Sequence, residues 1–162
     1  MAKEKKKAFD AACDYLSRAE HSCFEVDKKL TEKGYDEEER AGAIEKLKEL
    51  RFLDDKGFAQ RYIEFALAKG RGMRRIKEEL RRKGISAFDM EDVLYSLEEE
   101  GTIAPESQRE RALSVALQAL GNKEPDEKQM ARIGRKLAGL GYDSQDIYYA
   151  MGEIRKKGTG LL

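Results

Sequence analysis

The segment Val26-x-x-x-Leu30-x-x-x-Gly34-Tyr35 recurs twice, as Ile76-x-x-x-Leu80-x-x-x-Gly84-Ile85 and as Ile133-x-x-x-Leu137-x-x-x-Gly141-Tyr142. The three glycines stand 50 and 57 residues apart. Agreement continues beyond them. Nine residues on stand Ala43, Val93 and Ala150; ten on, Ile44, Leu94 and Met151; thirteen on, Leu47, Leu97 and Ile154. Apolar residues four apart share one face of a helix. The glycine supplies the positive φ that ends that helix, and the apolar residue after it folds back as a hydrophobic cap. Asp36, Ser86 and Asp143 are then placed to cap a second helix. A unit repeating at this period marks a repeat architecture.

Another helical stretch precedes each pair. The first runs from about Ala8 to Glu20, with Phe9, Ala12, Cys13 and Leu16 on one face. The next runs from about Asp54 to Lys69, with Phe58, Tyr62, Phe65 and Ala66 or Leu67 inward. The last starts at Pro105, a favourable first helical residue, and carries Leu113, Ala116, Leu117 and Leu120. Ser22-x-x-Glu25 reads as a capping box. No period-2 alternation indicates strands. The expected fold is all-α: three tandem three-helix, helix-turn-helix-like repeats forming an elongated, curved molecule. The repeats span 1–52 (with a basic N-terminal tail), 53–103 and 104–162, with flexible joints near Leu53 and Ile103. A 50-residue unit is marginal alone, so neighbouring repeats must share stability.

Hydrophobic and charged residues each make up 40% of the 162-residue chain, which excludes a thick, double-sided core. Only two prolines and a regular apolar spacing argue against disorder. Net charge is zero, so the global balance points to neither nucleic acid nor membrane. No apolar run approaches the roughly 20 residues that span a bilayer. Asp10 and Asp14 interrupt any signal-peptide core behind the Lys-rich start, so a cytoplasmic protein is expected. Cys13 and Cys23 form no disulfide framework and read as free thiols. The single histidine, His21, has no second ligand at metal-site spacing, and no nucleophile elbow accompanies it. No metal, cofactor or catalytic residue is assigned.

Local charge is far from balanced. Residues 69–84 hold eight basic residues against Glu78 and Glu79, and residues 85–110 hold eight acids against Arg109 alone. On a helical wheel Met73, Ile76 and Leu80 share the buried face. Arg71, Arg74, Arg75, Arg81 and Arg82 fall within an arc of about 120° opposite, with Glu78 placed to pair with Arg74 and Arg82. Such a face suits phosphates or an acidic protein surface; its plain alternative is a salt-bridged solvated face. Gly70-Arg71-Gly72 lacks the Lys-Ser/Thr end of a phosphate loop and serves to end one helix and start the next. Base readout in the manner of a helix-turn-helix is disfavoured, because the second helices open on acids: Asp36 to Glu39, Asp89 to Asp92, Asp143 to Asp146. Lys3, Lys5, Lys6 and Lys7 read as a disordered solubilising tail, and Arg155, Lys156 and Lys157 favour a helix dipole. A partner contact is the alternative for both clusters.

The stretch Leu53-Asp54-Asp55-Lys56-Gly57-Phe58-Ala59 resembles the Leu-Asp-Asp-x-x-Phe-Ala signature of the RecX regulatory proteins of bacteria. The block from Lys69 to Ile85 is similar to that family's next motif, and Tyr15 to Val26 to its opening repeat. Arg51 stands where the family often has Gly, and Met73 where Pro is frequent. The resemblance implies a non-enzymatic modulator of the RecA recombinase, which binds the RecA–DNA filament in its helical groove and suppresses ATPase, strand-exchange and co-protease activities. It implies a structural motif of Leu53, Asp54, Asp55, Phe58, Ala59, Gly72, Ile76, Leu80 and Gly84. Asp54 or Asp55 would cap the fourth helix. Contacts to RecA or DNA would come from Arg71, Arg74, Arg75, Lys77, Arg81 and Arg82. The expected partners are the RecA filament and, weakly, single- or double-stranded DNA. A monomer with no membrane contact is expected. The alternatives are a DNA-binding helical-repeat module acting without RecA, or an adaptor for another protein.

Overall fold

The computed structural model of the chain describes residues 4–160. Among these the chain is all-helical: α1 (Ala8–Leu16), α2 (Cys23–Glu32), α3 (Glu37–Glu49), α4 (Asp55–Ala68), α5 (Met73–Arg82), α6 (Ala87–Glu99), α7 (Pro105–Leu120), α8 (Glu127–Leu140) and α9 (Ser144–Gly158).

The repeated sequence produces a repeated turn. After α2, α5 and α8 the residues Gly34, Gly84 and Gly141 adopt φ of +82°, +78° and +90°. Behind each glycine the next residue donates its N–H five residues back: Tyr35 to Leu30 O, Ile85 to Leu80 O and Tyr142 to Leu137 O, at 3.1–3.2 Å. The glycine N–H bonds three residues back, completing the same helix stop each time. Tyr35, Ile85 and Tyr142 are buried. The following helices are capped by Asp36, Ser86 and Asp143, which accept from the N–H groups of Glu39, Asp89 and Asp146 at 2.8–3.0 Å. The Ser22–Glu25 capping box is formed.

The chain folds into two compact units. One comprises Met1–Arg61 and Leu80–Val93; the other comprises Tyr62–Glu79 and Leu94–Leu162. The core of the first gathers Ala8, Ala11, Ala12, Val26, Leu30, Tyr35, Ala43, Leu47 and Leu53. That of the second gathers Ala112, Ala116, Leu120, Met130, Ile133, Leu137, Tyr142, Ala150 and Ile154. Each fully buried Leu or Ile contributes about 1.5–3 kcal/mol through the hydrophobic effect.

Both units contain the same joint, in which the start of one second helix meets the end of another. In the first unit Ser22 Oγ donates to Lys83 O at 2.5 Å, and a Cβ on Gly84 would lie 2.2 Å from Phe24 Cβ. In the second, Gly72 N donates to Leu140 O at 2.8 Å, Arg74 N to Gly141 O at 3.2 Å, and a Cβ on Gly141 would lie 2.2 Å from Arg75 Cβ. Donors at a helix start, the capping Ser22 hydroxyl in the first unit and backbone N–H groups in the second, thus meet carbonyls at a helix end.

Three local expectations are corrected. α1 stops at Leu16 rather than near Glu20, because the chain turns at Ser17 and brings His21 onto Tyr15, ring centroids 3.8 Å apart. Phe65 is not inward but 53% exposed; Ala59, Ile63 and Ala66 form the buried stripe of α4. The basic tail is not free where it is described. Lys5 Nζ donates to Gly34 O at 2.8 Å, and Tyr35 Oη donates to Lys6 O at 2.6 Å. Lys3 lies outside the described residues.

Candidate interaction surface

The basic block lies on α5 and the turn before it. α4 ends on Gly70, φ +80°, where Arg71 N reaches back to Ala66 O at 3.0 Å. This turn sets Arg71 outside α5. Gly72 is a glycine for a different reason: a Cβ there would lie 2.4 Å from the Gly141 backbone. Tyr142 Oη donates to Gly70 O at 3.0 Å, pinning the same turn.

Within the second unit the arginines converge on one carboxylate. Arg75 Nε donates to Glu79 Oε1 at 2.8 Å, Arg71 Nη1 to Glu79 Oε2 at 3.1 Å, and Tyr62 Oη to Glu79 Oε2 at 2.5 Å. The Glu79 side chain is 17% exposed. Burial pushes its carboxyl pKa up. Hydrogen bonds from Tyr62 and Arg75, with the charges of Arg71 and Arg75, outweigh that and hold it below the usual glutamate value. Burial, followed by the hydrogen bond to Glu79, raises the Tyr62 phenol. Arg74 donates to Ala138 O at 3.0 Å and lies 3.6 Å from Glu78. No bond from Glu78 to Arg82 accompanies it.

Lys77 is exposed and has no ion-pair or hydrogen-bond partner among the described residues. In the first unit the same is true of Arg81 and Arg82. Lys83 differs, since its Nζ bonds Glu25 at 2.9 Å. Of the six cations singled out, Arg71, Arg74 and Arg75 are therefore tied to protein groups, and Lys77, Arg81 and Arg82 face solvent unpaired.

The remaining motif residues serve the scaffold. Leu53, Phe58, Ala59, Ile76 and Leu80 are buried. Asp54 caps α4, accepting from Gly57 N at 3.1 Å. Asp55 caps α2 instead, accepting from Cys23 N at 2.8 Å. Burial, reinforced by Asp55, pushes the Cys23 thiol up to about 12, which keeps it protonated at neutral pH. Cys13 is also a free thiol, raised chiefly by burial. Among the described residues no three His, Cys, Asp or Glu side chains are grouped to hold a metal, and no helix is long and apolar enough to cross a membrane.

Sequence reasoning reads Tyr62 only as an inward residue of α4 and Glu79 only as an acid within the basic block, and misses the hydrogen bond between them. The available signal was the i, i+4 spacing of Arg75 and Glu79.

The family's first three-helix domain (RecX, first three-helix domain) matches residues 8–47, and its second matches 54–94. The chain belongs to the RecX family. Regulatory protein RecX of Vibrio parahaemolyticus is 34% identical over 143 residues, covering 88% of either chain. The RecX of Mannheimia succiniciproducens is 30% identical over 147 residues, covering 86% of this chain and 89% of that one. The crystal structure of RecX from Lactobacillus salivarius superposes with a TM-score of 0.76 at 25% identity, covering 91% of this chain and 94% of that one. These relatives are regulatory proteins by name, and the second matched domain contains nearly all of the motif residues named above, from Asp54 to Gly84.

Proposed function

We propose that this protein binds the RecA–DNA filament and lowers RecA's ATPase, strand-exchange and co-protease activities. The observation that carries the reading is family membership over both three-helix domains, the second of which includes the α5 block. The contact set is Arg71, Arg74, Arg75, Lys77, Arg81 and Arg82. Lys77, Arg81 and Arg82 supply most of the attraction, because no carboxylate among the described residues pairs with them. Arg71 and Arg75, fixed by Glu79, present rigid guanidinium edges. The protein acts as a cytoplasmic monomer of three repeats, 1–52, 53–103 and 104–162, without catalysis or cofactor of its own. Several weak contacts along a filament add through effective concentration.

The test is single-strand-DNA-dependent ATP hydrolysis by the cognate RecA, with this protein added below and at one-to-one. A falling rate is expected. An unchanged rate, with helical circular dichroism verified, would overturn the proposal.

A further inference from the structure

α6 and α9 occupy equivalent places in their repeats, yet their outer faces are complementary. Counted from the turn glycine, position +11 is Tyr95 on α6 and Gly152 on α9. Positions +14 and +15 are Glu98 and Glu99 on α6, and Arg155 and Lys156 on α9. Positions +9 and +13 are buried in both, as Val93 and Leu97 and as Ala150 and Ile154. Both sequences complete the same helix over the same buried positions, so folding requires neither outer set.

Within the second unit an open groove of about 1220 Å³ runs along α9, lined by Tyr148, Gly152 and Arg155 and, at its side, by Arg109 of α7. Tyr148 is 84% exposed. An added Cβ on Gly152 would meet nothing within 4 Å, so the helix is bare one turn beyond that ring. Glycine weakens a helix interior, and no contact within the chain accounts for it here. The Arg155 side chain is exposed with no hydrogen-bond or ion-pair partner among the described residues, whereas Lys156 is held by Glu153 at 2.6 Å. The same unit carries the end of α6. There Tyr95 is 64% exposed, and Glu98 and Glu99 are exposed with no cation paired to them among the described residues. α7 starts beside the start of α9, where Arg109 lies 3.8 Å from Asp146. α6 leads directly into α7, so its acids stand toward the start of α9, and Arg155 stands near the finish. Within one molecule they do not pair.

We infer that the α9 groove receives the acidic end of α6 from a second copy of this chain. With the two helices parallel and in register, Tyr95 of the second copy enters the notch at Gly152 beside Tyr148, and its Glu98 reaches Arg155. A side chain set opposite a bare position, with opposite charges three residues on, is what docking of a helix in a groove requires. Zero net charge leaves no overall repulsion between copies. The two surfaces differ, so every copy offers one of each, and the contact propagates as an open head-to-tail chain. A single helix pair is smaller than a standard interface, so dilute chains stay single and association appears as copies crowd. The inference is independent of RecA, and its test contains none.

The test is sedimentation equilibrium of the full-length protein from about 10 μM to about 500 μM at low salt, a range that detects weak association. The weight-average mass of wild type should climb past two chains with concentration and return toward the 18.5 kDa of one chain at high salt. Two variants, each verified helical by circular dichroism, remove one surface apiece. Glu98→Lys/Glu99→Lys reverses the acidic end. Gly152→Trp/Arg155→Ala fills the notch and removes its cation, at positions that are open in the chain itself. Each alone should stay single. An equimolar mixture should form pairs and stop, because only the groove of the first and the acidic end of the second remain. Lys77→Glu/Arg81→Glu/Arg82→Glu should associate within about twofold of wild type, since those cations lie outside the groove. Wild type that stays single throughout would leave the groove to a foreign partner and overturn the inference. Wild type that stops at a pair, either surface variant associating like wild type, or a mixture that stays single or grows past pairs would overturn it as well. So would loss of association in the α5 variant, which would move the contact to α5.

Discussion

The two ends of α5 carry the same kind of charge and use it differently. At its start Arg75, with Arg71 just before the helix, closes on Glu79, and Arg74 bonds a carbonyl at the end of α8. At its end Arg81 and Arg82 are exposed with no partner among the described residues, as is Lys77 in the turn before them. The difference teaches that charge density does not identify the residues available to a partner. Availability depends on whether a nearby carboxylate is desolvated enough to hold a cation, and the 17% exposed Glu79 is. Arginines at the start of α5 are predicted to govern stability, and cations toward its end to govern binding.

The largest effect should come from prying the start of α5 off its joint. In Gly141→Ala the new Cβ would lie 2.2 Å from Arg75 Cβ and 2.6 Å from Arg75 N, at φ +90°. Clash and backbone strain together should remove about 3 kcal/mol or more, measured by urea unfolding. Gly34→Ala is the matched control. Its φ is +82° with nothing within 4 Å of the new Cβ, so strain alone applies, about 1–2 kcal/mol. Equal losses in the two variants would break the contrast.

Glu79→Ala comes next. It strips the acceptor from Tyr62 and from two partly solvated arginines, a loss of about 1–2 kcal/mol in the same assay. A related effect appears with acid. Glu79 has a lowered pKa, so its contribution is complete above the ordinary glutamate value and is lost as pH falls through the lowered one. Stability should therefore decline below about pH 4.3, and Glu79→Gln should flatten that decline. Part of the slope will survive in the variant through Glu25. Burial raises its pKa, but bonding to Lys83 and the Ser22 N–H lowers it further. The smallest stability change belongs to Lys77→Glu/Arg81→Glu/Arg82→Glu, within about 0.5 kcal/mol of wild type because none of the three side chains makes a hydrogen bond or ion pair among the described residues.

Much of this was legible in the sequence because it is encoded locally. The apolar residues four apart, the stop glycines at 34, 84 and 141 and the caps at Asp36, Ser86 and Asp143 each act within a few residues. Helix placement follows from them. What escaped is set by residues distant in the chain. A wheel places Glu78 among the arginines and leaves Glu79 unremarked. Only the turn at Gly70 swings Arg71 back over Glu79, and only the packing of α4 brings Tyr62 there, 17 residues away. Phe65 was misplaced because Ile63, off its expected stripe, fills the core. Of the two aspartates placed to cap α4, Asp54 takes that role, and only the fold shows that Asp55 accepts instead from Cys23 N at the start of α2, 32 residues earlier.

The most direct test of the account is inhibition of the cognate RecA's DNA-dependent ATP hydrolysis by two folded variants beside wild type. One is Lys77→Glu/Arg81→Glu/Arg82→Glu and the other is Glu79→Gln. The account predicts that the triple variant needs at least about tenfold more protein for half-inhibition, the equivalent of about 1.4 kcal/mol, while Glu79→Gln inhibits at near wild-type concentrations. Wild-type potency in the triple variant, with its stability unchanged, would contradict it.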